Sequence, residues 1–251
     1  MVNWHSLKEL ATDTVAFQNL VHSLLGLYLW EFVTSLDFDW DIIKGKKKFR
    51  WPLVFYFAGR YLLLFSMIGI AIAIDTKNPS MDCQALYTFN QLAGNSAVGL
   101  ASINLSLRTI ALWNQKGTII ALLLLIILGH WSLILQGELL QAEYVHGSGC
   151  VITKTNNTVL AAIFIYSMGF DFTVLMLRRR GKLVTMLFKD GLIYFIIAFL
   201  SNLVATIFMV LDLNPIMNII FNVPAAVAST IVACRVVRRL ANFTHQDSDA
   251  L

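Results

Sequence analysis

The chain has 251 residues, 57% of them hydrophobic and 14% charged, and carries a net charge of +4. A soluble globular domain has roughly 25% charged residues, so this composition excludes an ordinary water-soluble fold and points to lipid as the solvent. The basic excess does not indicate a nucleic-acid partner, because Lys and Arg sit in short loops beside apolar runs rather than along one face.

Residues 1–14 are polar and lack a basic region, so no cleavable signal peptide is expected and the mature chain is expected to begin near Met1. Seven apolar runs follow, at Val15–Leu36, Pro52–Ile74, Gln84–Leu107, Thr118–Gly137, Thr158–Leu177, Gly191–Leu211 and Ile216–Ala233. Each approaches the roughly 20 residues needed to cross a hydrocarbon core of about 30 Å. Lipid offers backbone N–H and C=O groups no partner, and the alternating pattern of a membrane barrel is absent, so the runs are expected to be helices. The expectation is therefore an all-α, seven-transmembrane helix bundle over residues 15–240, with a short extracellular N-terminus (1–14) and a short cytosolic tail (241–251). The bilayer is its principal partner, in the plasma membrane or a secretory-pathway membrane.

Orientation follows from the distribution of Lys and Arg, which favour the cytosolic side of short loops. One side holds Lys44, Lys46, Lys47, Lys48 and Arg50 after the first run, Arg108 and Lys116 after the third, Arg178, Arg179, Arg180 and Lys182 after the fifth, and Arg235, Arg238 and Arg239 after the seventh. The other side holds Lys8, Lys77 and Lys154. The N-terminus is thus expected outside and the C-terminus in the cytosol. On this topology Cys83 and Cys150 both face an oxidising compartment, where a disulfide is expected; two free thiols are the alternative. Cys234 falls at the cytosolic end of the last run, as a small hydrophobe or an acylation site. Asn156-Asn157-Thr158 has the form of an outward glycosylation acceptor close to the fifth run.

Several segments carry a likeness. They are Trp30-Glu31-Phe32 with Leu36-Asp37, Arg60-Tyr61, Cys83, Leu107-Arg108-Thr109 before Ala111-Leu112-Trp113, and Asp190-Gly191 before Tyr194-Phe195. The most specific is the closing run, Phe221-Asn222-Val223-Pro224-Ala225-Ala226 followed by Ser229 to Leu240. In these the chain resembles, nearly end to end, a large basidiomycete (fungal) family of seven-span membrane proteins of unknown function. The resemblance implies a receptor-like bundle and no particular ligand.

Ionisable residues inside a bilayer cost at least ~2.5 kcal/mol each on insertion scales and call for partners. Glu31, Arg60 and Asp171 fall in the inner half of their runs, with Lys189 and Asp190 near the edge of the sixth. An inner-leaflet cluster is expected in which Arg60 binds Glu31, Asp171 or both, as a static clasp or as a lock that opens when something binds outside. The outer half carries neutral polar residues instead: Asn90, Gln91, Asn95, His130, Asn202, Asn218 and Asn222. These could face a small ligand or bond between helices. Gln91, Asn95, Ser102 and Ser106 recur at helical spacing and predict one inward polar stripe. His130 is the candidate pH sensor. Pro224 predicts a kink in the last span.

Catalytic signatures are missing: there is no His-Glu-x-x-His, no Cys-x-x-Cys, and Gly94 to Gly99 lacks the Gly-x-Ser-x-Gly spacing. No metal site stands out, no cofactor is expected, and the last run lacks a lysine for a retinal Schiff base. The leading reading is a receptor-like bundle that senses a small ligand from outside. The alternatives are a small solute transporter of 3+1+3 organisation, in which Glu31-Phe32 and Asp171-Phe172 are equivalent, or an intramembrane enzyme that uses a desolvated Glu31 or Asp171 as an acid.

Overall fold

The computed structural model describes residues 4, 6–46, 49, 51–76, 78–113, 116–136, 140–145, 149–177 and 182–249. They form eight helices and one two-stranded sheet: α1 Leu7–Thr34, α2 Leu36–Ile43, α3 Leu53–Asp75, α4 Cys83–Leu112, α5 Gly117–Ile134, β1 Leu140–Val145, β2 Gly149–Thr155, α6 Asn157–Met176, α7 Lys182–Leu211 and α8 Asn222–Asp249. Seven helices have 18 to 30 residues, and α2 has eight. The chain is thus mostly helical. By length and composition, α3 and α5 are long and apolar enough to cross a membrane, and Thr158–Val174 and Ile196–Leu211 are shorter apolar stretches.

The helices are packed with their polar side chains inward. Arg60, Asn90, Asn104, His130, Asp171, Asn202, Asn214 and Asn218 are all buried, while Leu125, Leu128, Trp30, Ile43 and Val210 are each more than half exposed. On α5 only Leu123, His130 and Ile134 are buried, and the remaining leucine-rich surface faces outward. On α4 the expected stripe is internal: Ser102 and Ser106 are buried and hydrogen-bond along the helix, Ser106 Oγ donating to the Ser102 carbonyl at 2.9 Å.

Contacts fix the helix directions. Gln18 and His22 of α1 reach Asp75 at the end of α3, and Tyr28 donates to the Arg60 carbonyl further back on α3, so α1 and α3 run antiparallel. Asp13 near the start of α1 bonds Asn214 just before α8, and Glu31 near its end bonds Arg235, so α1 and α8 run parallel. Trp113 after α4 donates to the carbonyl of Leu177 after α6, and the Cys83–Cys150 bridge joins the start of α4 to β2, the strand that leads into α6, so α4 and α6 are also parallel. Helix α4 packs on α3, α5, α6 and α8, and is the central post of the fold.

One end is closed by the β hairpin, which the sequence reading treated only as a loop. It is antiparallel, pairing Leu140 with Thr155 and Tyr144 with Cys150, and has a bulge between Gln141 and Ala142. Ala142, Cys150 and Ile152 are buried beneath it, as period-2 alternation over a core requires. The expected bridge is present, with Cys83 and Cys150 Cα atoms 5.5 Å apart. Gln84 strengthens the attachment by donating to the Leu140 carbonyl (3.0 Å) and accepting from the Ala142 N–H (2.9 Å). Gly149 has φ +76°, and a Cβ there would lie 2.5 Å from the Ile74 carbonyl oxygen, so the hairpin sits directly on the end of α3.

The last helix differs from expectation. It was expected over Ile216–Ala233 with a kink at Pro224, but residues 215–221 form a chain of turns and α8 begins at Asn222. The reason is the Asn214-Pro215 corner. Asn214 Oδ1 accepts from the N–H groups of Ile216 (3.1 Å) and Met217 (2.8 Å), while its amide donates to Asp13 (2.7 Å). Pro224 therefore falls in the first turn of α8, where an N–H has no intrahelical acceptor, and the prediction of a kink there fails. Helix α8 continues through residue 249, so residues 241–249 of the expected tail are helical.

Removing the bridge tests the role of the hairpin. Cys83→Ser with Cys150→Ser is expected to lower the stability of the purified protein by about 2–4 kcal/mol, read by thermal unfolding under non-reducing conditions. Gly149→Ala is expected to destabilise by ~1–3 kcal/mol, because it combines a strained φ with a collision against α3. A wild-type melting temperature in Gly149→Ala would show that the hairpin does not rest on α3 as described.

Candidate functional site

A cavity of about 90 Å³ lies beneath the hairpin, among α1, α3, α4, α6 and α8. Helix α4 supplies its polar wall. Tyr87, Asn90, Gln91, Gly94, Asn95 and Val98 recur three or four residues apart and share one face. Helix α3 contributes Leu63, Ser66, Met67 and Ile70, α1 contributes Phe17, and α6 contributes Leu160 and Phe164. Leu140 and Ile152 of the hairpin form the roof, and Asn222, Val223 and Ala226 of the α8 start complete the wall beside Ile219.

The lining contains no charged side chain, yet it is not purely apolar. Asn90 Nδ2 and Oδ1, Asn95 Nδ2 and Asn222 Oδ1 are buried and have no hydrogen-bond partner in the protein. A buried amide without a partner costs about 1–3 kcal/mol, so three of them around one cavity form a demand for donors and acceptors from a guest. Asn90 is held in place by its surroundings. Its carbonyl accepts from Ser66 Oγ at 2.8 Å, and its carboxamide lies over Gly69, where any Cβ would collide with it. One water needs about 10–15 Å³ of such space, so 90 Å³ has room for several waters or a small guest.

A second cavity of about 40 Å³ lies beside the first and is lined by Thr14, Gln18, Ile74, Cys150, Val151 and Ile216 among others. Phe17, Tyr87, Ile152 and Ile219 line both cavities and form the wall between them. Tyr87 is tied to the hairpin by its hydroxyl, which donates to the Cys150 carbonyl at 3.3 Å.

Of the seven neutral candidates, Asn90, Gln91, Asn95 and Asn222 line the larger cavity. The other three lie elsewhere. His130 stacks on Tyr166 and meets Phe170 edge-on, with centroids 5.8 and 6.5 Å away. Asn202 donates to Asp171, and Asn218 donates to Asp212 at the end of α7. The apolar half of the cavity wall, and the hairpin over it, were not legible as site residues.

The charge cluster exists with different partners. Arg60 does not pair with Glu31 or Asp171. Its guanidinium bonds Asp39 of α2 at 3.1 Å, the Tyr56 hydroxyl at 2.6 Å and the Phe32 carbonyl at 2.5 Å, and lies 4.2 Å from the centre of the Phe32 ring. Glu31 instead takes Arg235 and Arg238 of α8, both at 2.5 Å. Asp171 stands apart with Asn202, and the side chain of Asp190 lies outside the described residues. The corner between α1 and α2 explains the change of partner. Where α1 ends, the Phe32 carbonyl is left for the Ser35 N–H and for Arg60. The turn at Ser35 then folds α2 back so that Phe38, Asp39 and Ile42 are buried. Asp37, Asp39 and Asp41 alternate with apolar residues just past the first apolar run, and Asp39 was not among the expected site residues. Burial lifts the Asp39 carboxyl above its ordinary range, and the Arg60 charge beside it acts in the opposite direction.

Breaking this pair from one side is expected to be costly. Arg60→Ala strands the buried Asp39 and should destabilise by about 3–5 kcal/mol, and adding Asp39→Asn to Arg60→Ala should recover part of that loss. Thermal unfolding of the two variants checks this, and a double variant no more stable than Arg60→Ala would contradict it.

Compared with protein-family models, with curated proteins and with solved structures, the chain matches none.

Proposed function

We propose that this chain is a multi-pass membrane protein of receptor-like architecture, in which α1, α3, α4, α5, α6, α7 and α8 cross the bilayer. The N-terminus lies outside and the C-terminus in the cytosol. The cavity under the hairpin binds a small neutral molecule from the outer side. The observation that carries the ligand reading is the set of unpartnered amides of Asn90, Asn95 and Asn222 in an uncharged, otherwise apolar cavity. Such a lining suits a compact guest with one or two hydrogen-bonding groups on an apolar body, such as an alcohol, ketone, lactone or amide.

Inverted polarity supports the membrane reading. In water, the exposed leucines of α5 would form a patch of a kind soluble monomers rarely tolerate, whereas in hydrocarbon they are solvated. Exposed Trp30, Trp40, Phe49 and Trp51 gather near Lys44 and Lys46, as an aromatic belt beside cytosolic basic residues would. Membership of the basidiomycete family belongs to the same proposal. An enzyme or transporter has less support, since neither Glu31 nor Asp171 lines either of these cavities.

Two measurements test the proposal. In intact cells, a tag placed after Leu251 should resist external protease while one placed before Met1 is cleaved; the reverse pattern would overturn the topology. Native mass spectrometry of the detergent-purified protein should show a small bound molecule, lost in Asn90→Leu with Asn95→Leu. These near-isosteric changes replace the amides that the guest would satisfy, and each is expected to weaken binding about 5–10-fold, corresponding to one hydrogen bond. Equal binding of the same molecule by this double variant would remove the cavity from consideration.

A further inference from the structure

Asp171 is a buried acid for which, among the described residues, the fold supplies no countercharge. It is 5% exposed, and its hydrogen bond comes from a neutral amide, Asn202 Nδ2 to Asp171 Oδ2 at 3.2 Å. Among the described residues it makes no ion pair, in contrast to Glu31 and Asp39. Two further oxygens are left over beside it. Asn202, fully buried, uses its Nδ2 on Asp171 and leaves Oδ1 without a partner. Ser167, 1% exposed and one turn before Asp171 on the same face of α6, leaves Oγ without a partner.

Among the described residues the surrounding elements offer no charge either; the side chains of Arg108 on α4 and of Lys182, Lys189 and Asp190 on α7 lie outside them. Helix α6 packs on α4, α5 and α7. Helix α5 presents His130, whose ring is stacked on Tyr166 and whose Nε2 is unpartnered. From α7 come the neutral Asn202 and Thr206, from α4 the neutral Ser102 and Asn104, and Tyr166 stands on α6 itself. A bare carboxylate in such a setting is too costly to persist without a cation or a proton beside it. One carboxylate with neutral oxygens balances a single positive charge. A divalent ion would leave a buried excess, and among the described residues no three His, Cys, Asp or Glu side chains come together to hold one.

We propose that Asp171, Asn202 and Ser167 form a monovalent cation site between α6 and α7, holding one Na⁺ or one proton. Sodium would be taken by the carboxylate, Asn202 Oδ1 and Ser167 Oγ, all hard oxygen donors. A proton would sit on the carboxyl and be donated to Asn202 Oδ1, since the two ends of an amide can exchange places. The site is separate from the outer cavity, although both lie on one stripe: Leu160 and Phe164 line the cavity, and Ser167 and Asp171 continue the same face of α6 about 10 Å further from it. It does not depend on what that cavity binds.

The experiment is thermal unfolding of the detergent-purified protein in NaCl or choline chloride at equal ionic strength, from pH 5.5 to 8.5. A sodium site predicts a melting temperature that rises with NaCl and not with choline chloride at pH 8.5, and Asn202→Ala raises the NaCl needed for half the rise at least about tenfold. A proton site predicts a melting temperature that falls as pH rises in either salt. In both cases Asp171→Asn removes the dependence. Should Asp171→Asn fail to fold, the wild type decides: one equivalent of radioactive sodium retained on equilibrium dialysis, or the infrared band of a protonated carboxyl that is altered in Asn202→Ala. A wild type indifferent to both sodium and pH, or an Asp171→Asn protein that keeps the full dependence, overturns the proposal.

Discussion

The organising constraint is that polar groups have nowhere to go but inward. Leucine, isoleucine and valine cover the outer surface of α5 and much of α7, and Asn90, Asn104, Asp171 and Asn202 are buried between the helices. Helix α4 is placed by this rule. It carries the longest polar stripe, and packing it against four other helices gives that stripe the largest internal surface. Where partners are supplied, the result is a clasp such as Asp171 with Asn202. Where they are not, as at Asn90 and Asn222, the fold keeps an open demand for hydrogen bonds.

The two ends of the molecule are secured by different chemistry. At the hairpin end the fastening is covalent and backbone-directed: the Cys83–Cys150 bridge, the Gln84 clamp on β1, and Asn214 bridging the turn before α8 to α1. At the opposite end it is ionic, with Glu31 drawing Arg235 and Arg238 to α1 while Arg60 joins α1, α2 and α3. The ionic end is the more readily altered, because each pair exchanges partners without breaking a covalent bond. The cavity lies at the covalent end and the salt bridges at the other. An outward ligand and an inward response would therefore be coupled through α1 and α8, the parallel helices that touch both.

The cavity is shaped by convergence rather than by a motif. Its amides come from α4 and from the start of α8, its apolar lining comes from α1, α3 and α6, and its roof is a hairpin held by a bridge to α4. An uncharged lining would favour a neutral guest, and a volume of about 90 Å³ a small one, unless the wall shared with the second cavity moved. Phe17, Tyr87, Ile152 and Ile219 form that wall, and Tyr87 is bonded to the hairpin, so the roof and the wall would move together.

By itself the sequence determined the helical character, five of the seven long segments to within five residues at the end beside the basic loops, the inward polar stripe of α4 and the Cys83–Cys150 pairing. These rest on local periodicity, on hydropathy, or on two cysteines sharing one compartment. Four of the seven neutral candidates also proved to share a cavity, because three of them lie on one face of one helix. Tertiary structure alone decided the remainder. Arg60 chose Asp39 over Glu31 because the corner at Ser35 folds α2 back against α3, and a turn of that kind leaves no periodic signal. Pro224 became a helix starter rather than a kink because Asn214 reached Asp13 and capped the turns before α8, which begins six residues later than expected. Partner choice and segment ends depend on where distant backbone arrives, and that is settled only when the helices pack.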